Sequence, residues 1–316
     1  MSYFDKYCSN MMDQLHNLGF DLKYVEIFLK EFNEFCEIRY SEETELTKEL
    51  ALDWIYSSNT KSKQQLDRRI RTIKYLGRYL NSIGINAYIP DFRIKSDPPK
   101  PVQLLTDDEL HLFFNSLDHL PPHYLSPNKE YIAPVIFRLI YSCGLRTSEA
   151  CNLKIDDVDL DSGILTIYHS KGYKDRIVYL SDSMLELCRR FHDTYSLILP
   201  EREYFFQPSY DKTHYLNIDI CDWFNSVLKK CNLYDKYPVK PTPHGLRHLF
   251  AVKSMKKCMN LGYSFDNWIK YLSQYMGHSS PQETMYYLHM VSHLFPEYSK
   301  KIKNLTEGMV VIHEED

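Results

Sequence analysis

A proline cluster near residue 100 is the feature that most limits how this chain folds. Pro98, Pro99 and Pro101 occupy three of four consecutive positions within KSDPPKP. Proline fixes φ and has no backbone N–H, so this segment is predicted to be an extended linker rather than a helix. The sequence therefore predicts two domains, at residues 1–95 and 106–316, joined by a linker at 96–105. The length of 316 residues agrees with two domains.

The N-terminal segment is predicted to be helical. A second helix is expected at about residues 45–56, and a third at about 63–83. The first carries an apolar stripe at spacings of three and four, formed by Tyr24, Ile27, Phe28, Phe32 and Phe35. The core face of the third is predicted to contain Leu66, Ile70, Ile73, Leu76, Leu80 and Ile83.

Charge is spread unevenly over this segment. The whole chain has a net charge of −4, which by itself does not indicate nucleic-acid binding. Residues 1–60 carry twelve acidic and five basic residues, whereas residues 61–80 carry seven basic residues and one acidic residue. A solvated charged face is one interpretation of this basic helix. The other is a DNA contact through Lys61, Lys63, Arg68, Arg69, Arg71, Lys74 and Arg78.

The larger segment combines helices with one hairpin. Thr106 followed by Glu109 is a capping box at a helix start, and the apolar run 131–145 predicts a helix that ends near Gly144. Two alternating segments around a Lys-Gly-Tyr-Lys turn predict strands near 164–169 and 176–180. From Ser183 onward the pattern is again largely helical. The predicted fold is mainly α with a small β-hairpin or sheet (α+β).

Composition argues against several classes of protein. Only 10 residues are glycine, and neither GxGxxG nor GxxxxGK[ST] occurs, which disfavours nucleotide-binding loops. No apolar run approaches the roughly 18 residues that span a membrane, so no membrane partner is predicted. The eight cysteines are scattered without a CxxC pair, which predicts reduced, mostly buried thiols in a cytoplasmic protein.

Four short segments hold polar groups in unusual settings. Two arginines can bind the non-bridging oxygens of a phosphodiester through bidentate hydrogen bonds, while lysine and histidine can transfer protons. A tyrosine can act as the nucleophile. Together these residue types suit phosphoryl transfer without a metal. The segments are CGLRTSE at 143–149, SKGYKDR at 170–176, HGLRH at 244–248, and GHSS at 277–280 with MYYLH at 285–289.

The order of these motifs resembles the tyrosine recombinases, which are phage-integrase-type site-specific recombinases. The resemblance covers about residues 100–295 and implies an integrase-type catalytic domain. More loosely, the N-terminal segment is similar to the family's helical core-binding domain. The resemblance implies that neither ATP, a metal nor another cofactor is needed. The catalytic residues that it implies are Arg146, Lys171, His244, Arg247, His278 and Tyr287.

The resemblance also implies a role for each of these residues. The two arginines bind the scissile phosphate. Lys171 protonates the 5′-oxygen leaving group, and His244 assists proton transfer and orients the phosphate. His278 donates to a non-bridging oxygen. Tyr287 attacks, which leaves a 3′-phosphotyrosyl link and a free 5′-hydroxyl.

Two adjacent tyrosines are candidates for the nucleophile. On a helix, Tyr286 and Tyr287 point about 100° apart, so only one can reach the phosphate. Tyr287 is favoured because it lies nine residues after His278 and shortly before His289, as the family's nucleophile does. Tyr286 is predicted to pack.

Three further residues lie close to these motifs. Lys174 is the weaker alternative to Lys171, because the residue before the hairpin glycine holds the family position. Glu149 and His248 are predicted to brace an arginine or the helix.

The resemblance implies a recombinase that acts on duplex DNA at a specific site. The expected assembly on DNA is a homotetramer, or one formed with a second related recombinase. Apparent insertions near 117–133 and 255–270 favour integration, excision or transposition of a mobile element. Resolution of chromosome or plasmid dimers is the alternative. A type IB topoisomerase-like activity and a non-catalytic DNA-binding relative are less favoured.

Two segments carry partial metal-site patterns, and the C-terminus carries a short apolar run. Residues 157–161 start like a calcium loop, but the glycine falls at loop position seven rather than six, so a polar turn is predicted. His289 and His293 lie four residues apart without an evident third ligand. The apolar run 309–312 could dock on a neighbouring protomer or fold on its own subunit.

Overall fold

The chain divides between residues 100 and 101 into two units. This computed structural model describes residues 2–20, 22–58, 62–95, 97, 102–124, 126–170, 174–209, 214–278, 280 and 282–287, with only the backbone of 169, 170 and 174. Several predictions concern residues outside these ranges. They are the prolines of the linker, Lys61, Lys171, His289, His293 and the run 309–312.

The described part of the first unit contains four helices. They are α1 (Asp5–Asn17), α2 (Lys23–Arg39), α3 (Lys48–Tyr56) and α4 (Lys63–Ser82). Thr47 caps α3 and Ser62 caps α4, each accepting a hydrogen bond from a backbone N–H three residues later. Phe32 and Trp54 meet edge to face at 5.4 Å between ring centroids, in the middle of this small core.

The apolar stripe predicted for α2 was partly wrong. Ile27 is 58% exposed, while Tyr24, Phe28 and Phe35 lie at the edge of the core. The buried face of α2 is shifted from the predicted stripe, and only Phe32 belongs to both. The residues of α2 that are fully buried are Val25, Leu29, Phe32 and Cys36.

The second unit is mainly helical with one small sheet. Its strands β1 (Val158–Asp159), β2 (Ile164–Ser170) and β3 (Lys174–Tyr179) pair antiparallel in that order. The predicted fold class is therefore confirmed. Within the described ranges, no helix of either unit is both long and apolar enough for a membrane span. The described helices are α5 (Asp107–Asp118), α6 (Lys129–Cys143), α7 (Thr147–Cys151), α8 (Asp182–Ile198), α9 (Asn217–Lys230), α10 (Pro243–Leu261) and α11 (Phe265–Met276), and residues 282–287 are helical too.

Helix α6 lies at the centre of the second unit. It packs against α5, α8 and α10. Phe137 of α6 meets Phe113 and Phe224 with ring centroids 5.6 and 5.7 Å apart. This tightly packed aromatic group fixes the position of α6, and therefore of the turn that follows it.

Of two predicted local structures of this unit, the capping box is confirmed and the polar turn is confirmed in part. The Thr106–Glu109 capping box opens α5. In the segment 157–161, Val158 and Asp159 form β1, and the polar turn begins at Leu160, where Asp159 accepts hydrogen bonds from the backbone N–H groups of Asp161 and Ser162. Among the described residues, no group of three potential metal ligands is found.

All eight cysteines are free, and seven of them are buried. Burial raises the pKa of the Cys8 and Cys151 thiols to about 12. These side chains therefore act as small apolar residues in the two cores, as the sequence predicts.

Candidate active site

Glu149, on the short helix α7, forms the centre of a buried ionic cluster. Its side chain is 6% exposed and accepts from the Arg146 guanidinium at 2.7 Å and from the Arg146 backbone N–H at 2.8 Å. Arg176 donates two further hydrogen bonds, at 2.8 and 2.6 Å. Desolvation raises the pKa of this carboxyl, but hydrogen bonds and charge from Arg176 and Arg146 bring it down to about 2. The carboxylate is therefore ionised at every physiological pH.

The ends of two helices hold the guanidinium groups of Arg146 and Arg247. Arg247 donates to the Gly144 carbonyl at 2.5 Å and to the Met276 carbonyl at 2.6 Å. Arg146 donates to the Gly277 carbonyl at 2.7 Å. These carbonyls lie at the C-terminal ends of α6 and α11, where backbone acceptors lack helical partners and the helix dipole favours a cation.

Gly144 makes the first of these helix ends possible. Its φ is +64°, in the left-handed region, and a Cβ atom there would lie 2.5 Å from the Phe250 ring. Only glycine fits both requirements. The chain then turns and presents Arg146 two residues later, as the motif CGLR predicts.

Arg247 lies in the first turns of α10 and is 1% exposed. Desolvation and the positive charge of Arg146 lower its pKa to about 10, so it stays protonated at neutral pH. Its closest carboxylate oxygen is Glu149 Oε2, at 3.9 Å. A fully buried cation is thus held mainly by carbonyl groups and only loosely by an anion.

Tyr287 lies inside this cluster, with 3% of its surface exposed. Burial raises the pKa of its phenol, while the positive charges of Arg247 and Arg146 oppose that rise. Its ring centroid lies 5.2 Å from that of His248 and 6.0 Å from that of His278. The neighbouring Tyr286 is 39% exposed, so the expectation that it packs was wrong.

Two histidines, His248 and His278, flank the tyrosine, and a third, His244, packs against His248. His244 and His248 lie one turn apart on α10, with ring centroids 4.6 Å apart. Desolvation and nearby positive charge lower their pKa values to about 4 and about 3, so both rings are neutral at pH 7. His278 has its Nδ1 2.7 Å from the hydroxyl of buried Thr284, which orients the ring.

Five predicted catalytic residues therefore meet in one region of the second unit. Their roles in a reaction stay predictions. The sixth, Lys171, lies outside the described residues, in the sequence between β2 and β3. The five are Arg146, His244, Arg247, His278 and Tyr287.

Arg176 is the residue that sequence reasoning missed. Its side chain is 6% exposed and forms a bidentate ion pair with Glu149. The sequence predicted no role for Arg176, although it lies in the motif at 170–176. A signal was present in the strand alternation. Arg176 pairs with buried Ile167 and alternates with exposed Ile177, which places it on the inward face of β3.

The basic helix α4 does not present all of its cations to solvent. Arg69 is 6% exposed and donates to the Trp54 carbonyl at 2.7 Å and to Glu31 at 3.1 Å. Its guanidinium also lies 4.0 Å from the centroid of the Trp54 ring. The prediction that Arg69 contacts DNA is therefore wrong, because it joins α2, α3 and α4. Lys74 is half-buried and donates to the Phe92 carbonyl at 2.8 Å.

Four of the basic residues remain exposed on α4 and stay candidates for DNA contact. Lys63 pairs with Asp97 at 2.5 Å, and Arg71 pairs with Asp67 at 2.8 Å. Exposed pairs of this kind are worth little and can be exchanged for a phosphate. The four are Lys63, Arg68, Arg71 and Arg78.

Comparison with known sequences decides the family. Residues 103–293 match the model of the phage integrase family, which is more than half of the chain. The chain belongs to the phage integrase family. It is therefore a tyrosine recombinase, an enzyme that cleaves and rejoins DNA.

Two curated relatives of this recombinase cover most of its length. The tyrosine recombinase XerA of Thermococcus kodakarensis is 30% identical over 259 residues, which are 77% of this chain and 82% of that protein. A putative integrase/recombinase, y4rB, of Sinorhizobium fredii is 25% identical over 97% of this chain and 99% of that protein.

Solved structures share the fold of this recombinase. The XerH site-specific recombinase bound to palindromic difH substrate matches with a TM-score of 0.62 at 18% identity, over 90% of this chain and 79% of that one. The Tn1549 transposon integrase in complex with transposon right end DNA matches with a TM-score of 0.61 at 16% identity, over 97% and 100%.

Proposed function

We propose that this tyrosine recombinase is site-specific and cleaves duplex DNA with Tyr287 as its nucleophile. The observation that carries the proposal is the burial of Tyr287 beside His248 and His278, close enough to Arg247 and Arg146 for their positive charges to oppose the rise in the pKa of its phenol. A tyrosine hydroxyl beside two guanidiniums has both an attacking oxygen and donors for the phosphate that it attacks.

In the proposed reaction, the Tyr287 oxygen attacks the scissile phosphorus. A phosphorus–oxygen bond to the tyrosine forms while the bond to the 5′-oxygen breaks. The phenol loses its proton, for which the neutral imidazole of His244 is the proposed acceptor, and the departing 5′-oxygen gains one, for which Lys171 is the proposed donor. The product is a 3′-phosphotyrosyl link with a free 5′-hydroxyl. Attack by a 5′-hydroxyl from a partner strand reverses these steps and rejoins the DNA.

Electrostatics favour the transition state of this reaction. In the described cluster, three guanidiniums surround one carboxylate, which leaves an excess of positive charge where the phosphate would bind. His244 and His248 are neutral at pH 7 and add no charge. The arginines are fixed by backbone carbonyls before substrate arrives, so little reorganisation is needed as negative charge develops on the phosphate oxygens.

The test is covalent capture from a pool of nicked duplexes of random sequence. At a suitably placed nick, the short cleaved strand diffuses away and the covalent protein–DNA adduct is trapped. We expect the wild-type protein to enrich one defined sequence and Tyr287→Phe to capture none. Tyr286→Phe is the matched control and should capture as the wild type does. Equal capture by Tyr287→Phe contradicts the nucleophile assignment, and capture without sequence enrichment contradicts site specificity.

We further propose that the site belongs to a mobile element. Support comes from the relative described as a putative integrase/recombinase, which matches 97% of this chain. Its test is a plasmid that carries the captured sequence at both ends of a marker segment. Excision of that segment as a circle, and its insertion into a second plasmid, would support the proposal. Reaction confined to resolving plasmid dimers would contradict it.

A further inference from the structure

In the proposed reaction, the buried Arg176 transfers no proton and contributes only its charge to the cluster. It lies on β3 and has no direct contact with Tyr287 among the described interactions, yet it makes the most extensive ion pair of the site. Two hydrogen bonds, of 2.8 and 2.6 Å, join its guanidinium to the two oxygens of Glu149. Both side chains are 6% exposed. Such a planar fork fixes the carboxylate in position and in rotation, which a single hydrogen bond does not.

The orientation of Glu149 decides where the neighbouring arginines sit. Oε1 is shared by Arg176 and the Arg146 guanidinium, whereas Oε2 accepts from Arg176 and the Arg146 backbone. The same Oε2 lies 3.9 Å from Arg247, beyond hydrogen-bond distance. Without the fork, the carboxylate could rotate towards Arg247 and neutralise a cation that the scissile phosphate needs.

We propose that Arg176 is a positioning residue for DNA cleavage, which acts through Glu149 on Arg146 and Arg247. The inference rests on the proposed function. By occupying both carboxylate oxygens, Arg176 keeps Glu149 directed at Arg146 and away from Arg247. It also adds a third positive charge, which enlarges the excess of positive charge over the one carboxylate of the described cluster. A lysine at this position retains the charge but not the fork.

The chain offers a matched control for the loss of such a fork. Arg138 on α6 donates two hydrogen bonds of 2.7 Å to Asp118, with its side chain 24% exposed. This pair has the same bidentate geometry and lies outside the cluster. Arg138→Lys therefore reports what losing any arginine–carboxylate fork costs the protein.

The experiment compares Arg176→Lys and R138K with the wild type on the DNA captured above. Two quantities are measured: the single-turnover rate of adduct formation, and the Kd for DNA in a Tyr287→Phe background, where no cleavage occurs. We expect R176K to form adduct at least tenfold more slowly with a Kd within twofold of wild type. R138K should stay within twofold for both. Because Arg176 acts through Glu149, R176K/E149Q should be no more than twofold slower than E149Q alone.

Each other outcome overturns the inference. An adduct rate for R176K within twofold of wild type shows that the fork does not position the arginines. Loss of rate and DNA affinity together shows that Arg176 is purely structural. A further slowing of E149Q by R176K shows that it does not act through Glu149. If the wild type itself forms no adduct, the proposed function fails first, and that result is visible before any variant is measured.

Discussion

At the scale of single residues, the site is a set of buried charges whose partners are mostly fixed before DNA arrives. Burying a charge without a partner costs several kcal/mol. Arg247 avoids this cost by donating to two carbonyls rather than to a carboxylate. An arginine paired in this way keeps more of its positive charge for a phosphate than one neutralised by an ion pair.

The histidines make stability depend on pH. The pKa of His248 is about 3 in the folded protein, below the ordinary value of about 6.5. Below pH 6.5 the unfolded chain therefore takes up a proton that the native state does not, so stability falls as the pH drops towards 3. We expect His248→Gln to lose less stability than the wild type between pH 7 and pH 5, by about 1 kcal/mol per pH unit. Urea denaturation at both pH values checks this, and an unchanged pH slope would contradict it.

Arg69 should matter for stability rather than for DNA. Removing its guanidinium takes away the hydrogen bonds to Glu31 and to the Trp54 carbonyl, which keeps only its bonds from Ser57, and also removes the contact with the Trp54 ring. We expect Arg69→Gln to destabilise the first unit by about 2 to 3 kcal/mol. Arg68→Gln, on the exposed neighbour, should change stability by less than about 0.5 kcal/mol. Equal unfolding midpoints for the two variants in a urea titration would refute the assignment.

At the scale of elements, two helix ends organise the site. The C-terminal ends of α6 and α11 converge on the arginine pair, and both end in a glycine with φ of +64°. The segment after α11 continues to His278 and then to the helix that carries Tyr287. A displacement of α11 would therefore move the arginine anchors and the nucleophile together.

Replacing the glycine at the end of α6 should be far more damaging than replacing another C-cap glycine. Gly144→Ala combines a left-handed φ with a Cβ 2.5 Å from the Phe250 ring. Gly262, which ends α10 with φ of +69°, has nothing within 4 Å of its added Cβ. We expect Gly262→Ala to cost about 1 kcal/mol and Gly144→Ala at least about 2 kcal/mol more. Denaturant unfolding measures both, and similar costs would show that Phe250 moves aside freely.

Sequence patterns predicted the elements and motifs better than the contacts between them. The capping box at Thr106, the hairpin and the turn at Gly144 depend on neighbouring residues, which a sequence shows directly. The Arg176–Glu149 fork joins positions 27 residues apart, and no local pattern contains both partners. Arg69 was misassigned because a helical charge pattern does not show that α2 and α3 cover one face of α4.

At the scale of the whole molecule, the net charge of −4 is an average over two units whose charged residues are arranged differently. The first unit has an acidic stretch at 1–60 and an exposed basic set on α4, whereas the cations of the proposed active site lie in a buried cluster of the second unit. A surface cation contributes to DNA affinity through release of counterions, while a buried one contributes mainly to chemistry.

The basic set on α4 should appear in the salt dependence of DNA binding. Arg71 and Arg78 are exposed, and their spacing of seven residues places them on one face of α4. We expect each Arg→Gln change there to reduce the slope of log K against log salt by about 1. Arg39→Gln, at an exposed arginine of the acidic stretch, is the control. Binding titrations from 50 to 200 mM salt provide the measurement, and unchanged slopes for both α4 variants would remove this helix from the DNA interface.

The carbonyl anchors of Arg146 and Arg247 have a consequence for mutational tolerance. A backbone carbonyl is the same group in every residue, so replacing the side chain of Met276 leaves the anchor of Arg247 chemically intact. An insertion or deletion of one residue within α11 is different, because it rotates the helix end by about 100° and redirects both carbonyls at once. The site should therefore accept many substitutions in α11 but no change in its length.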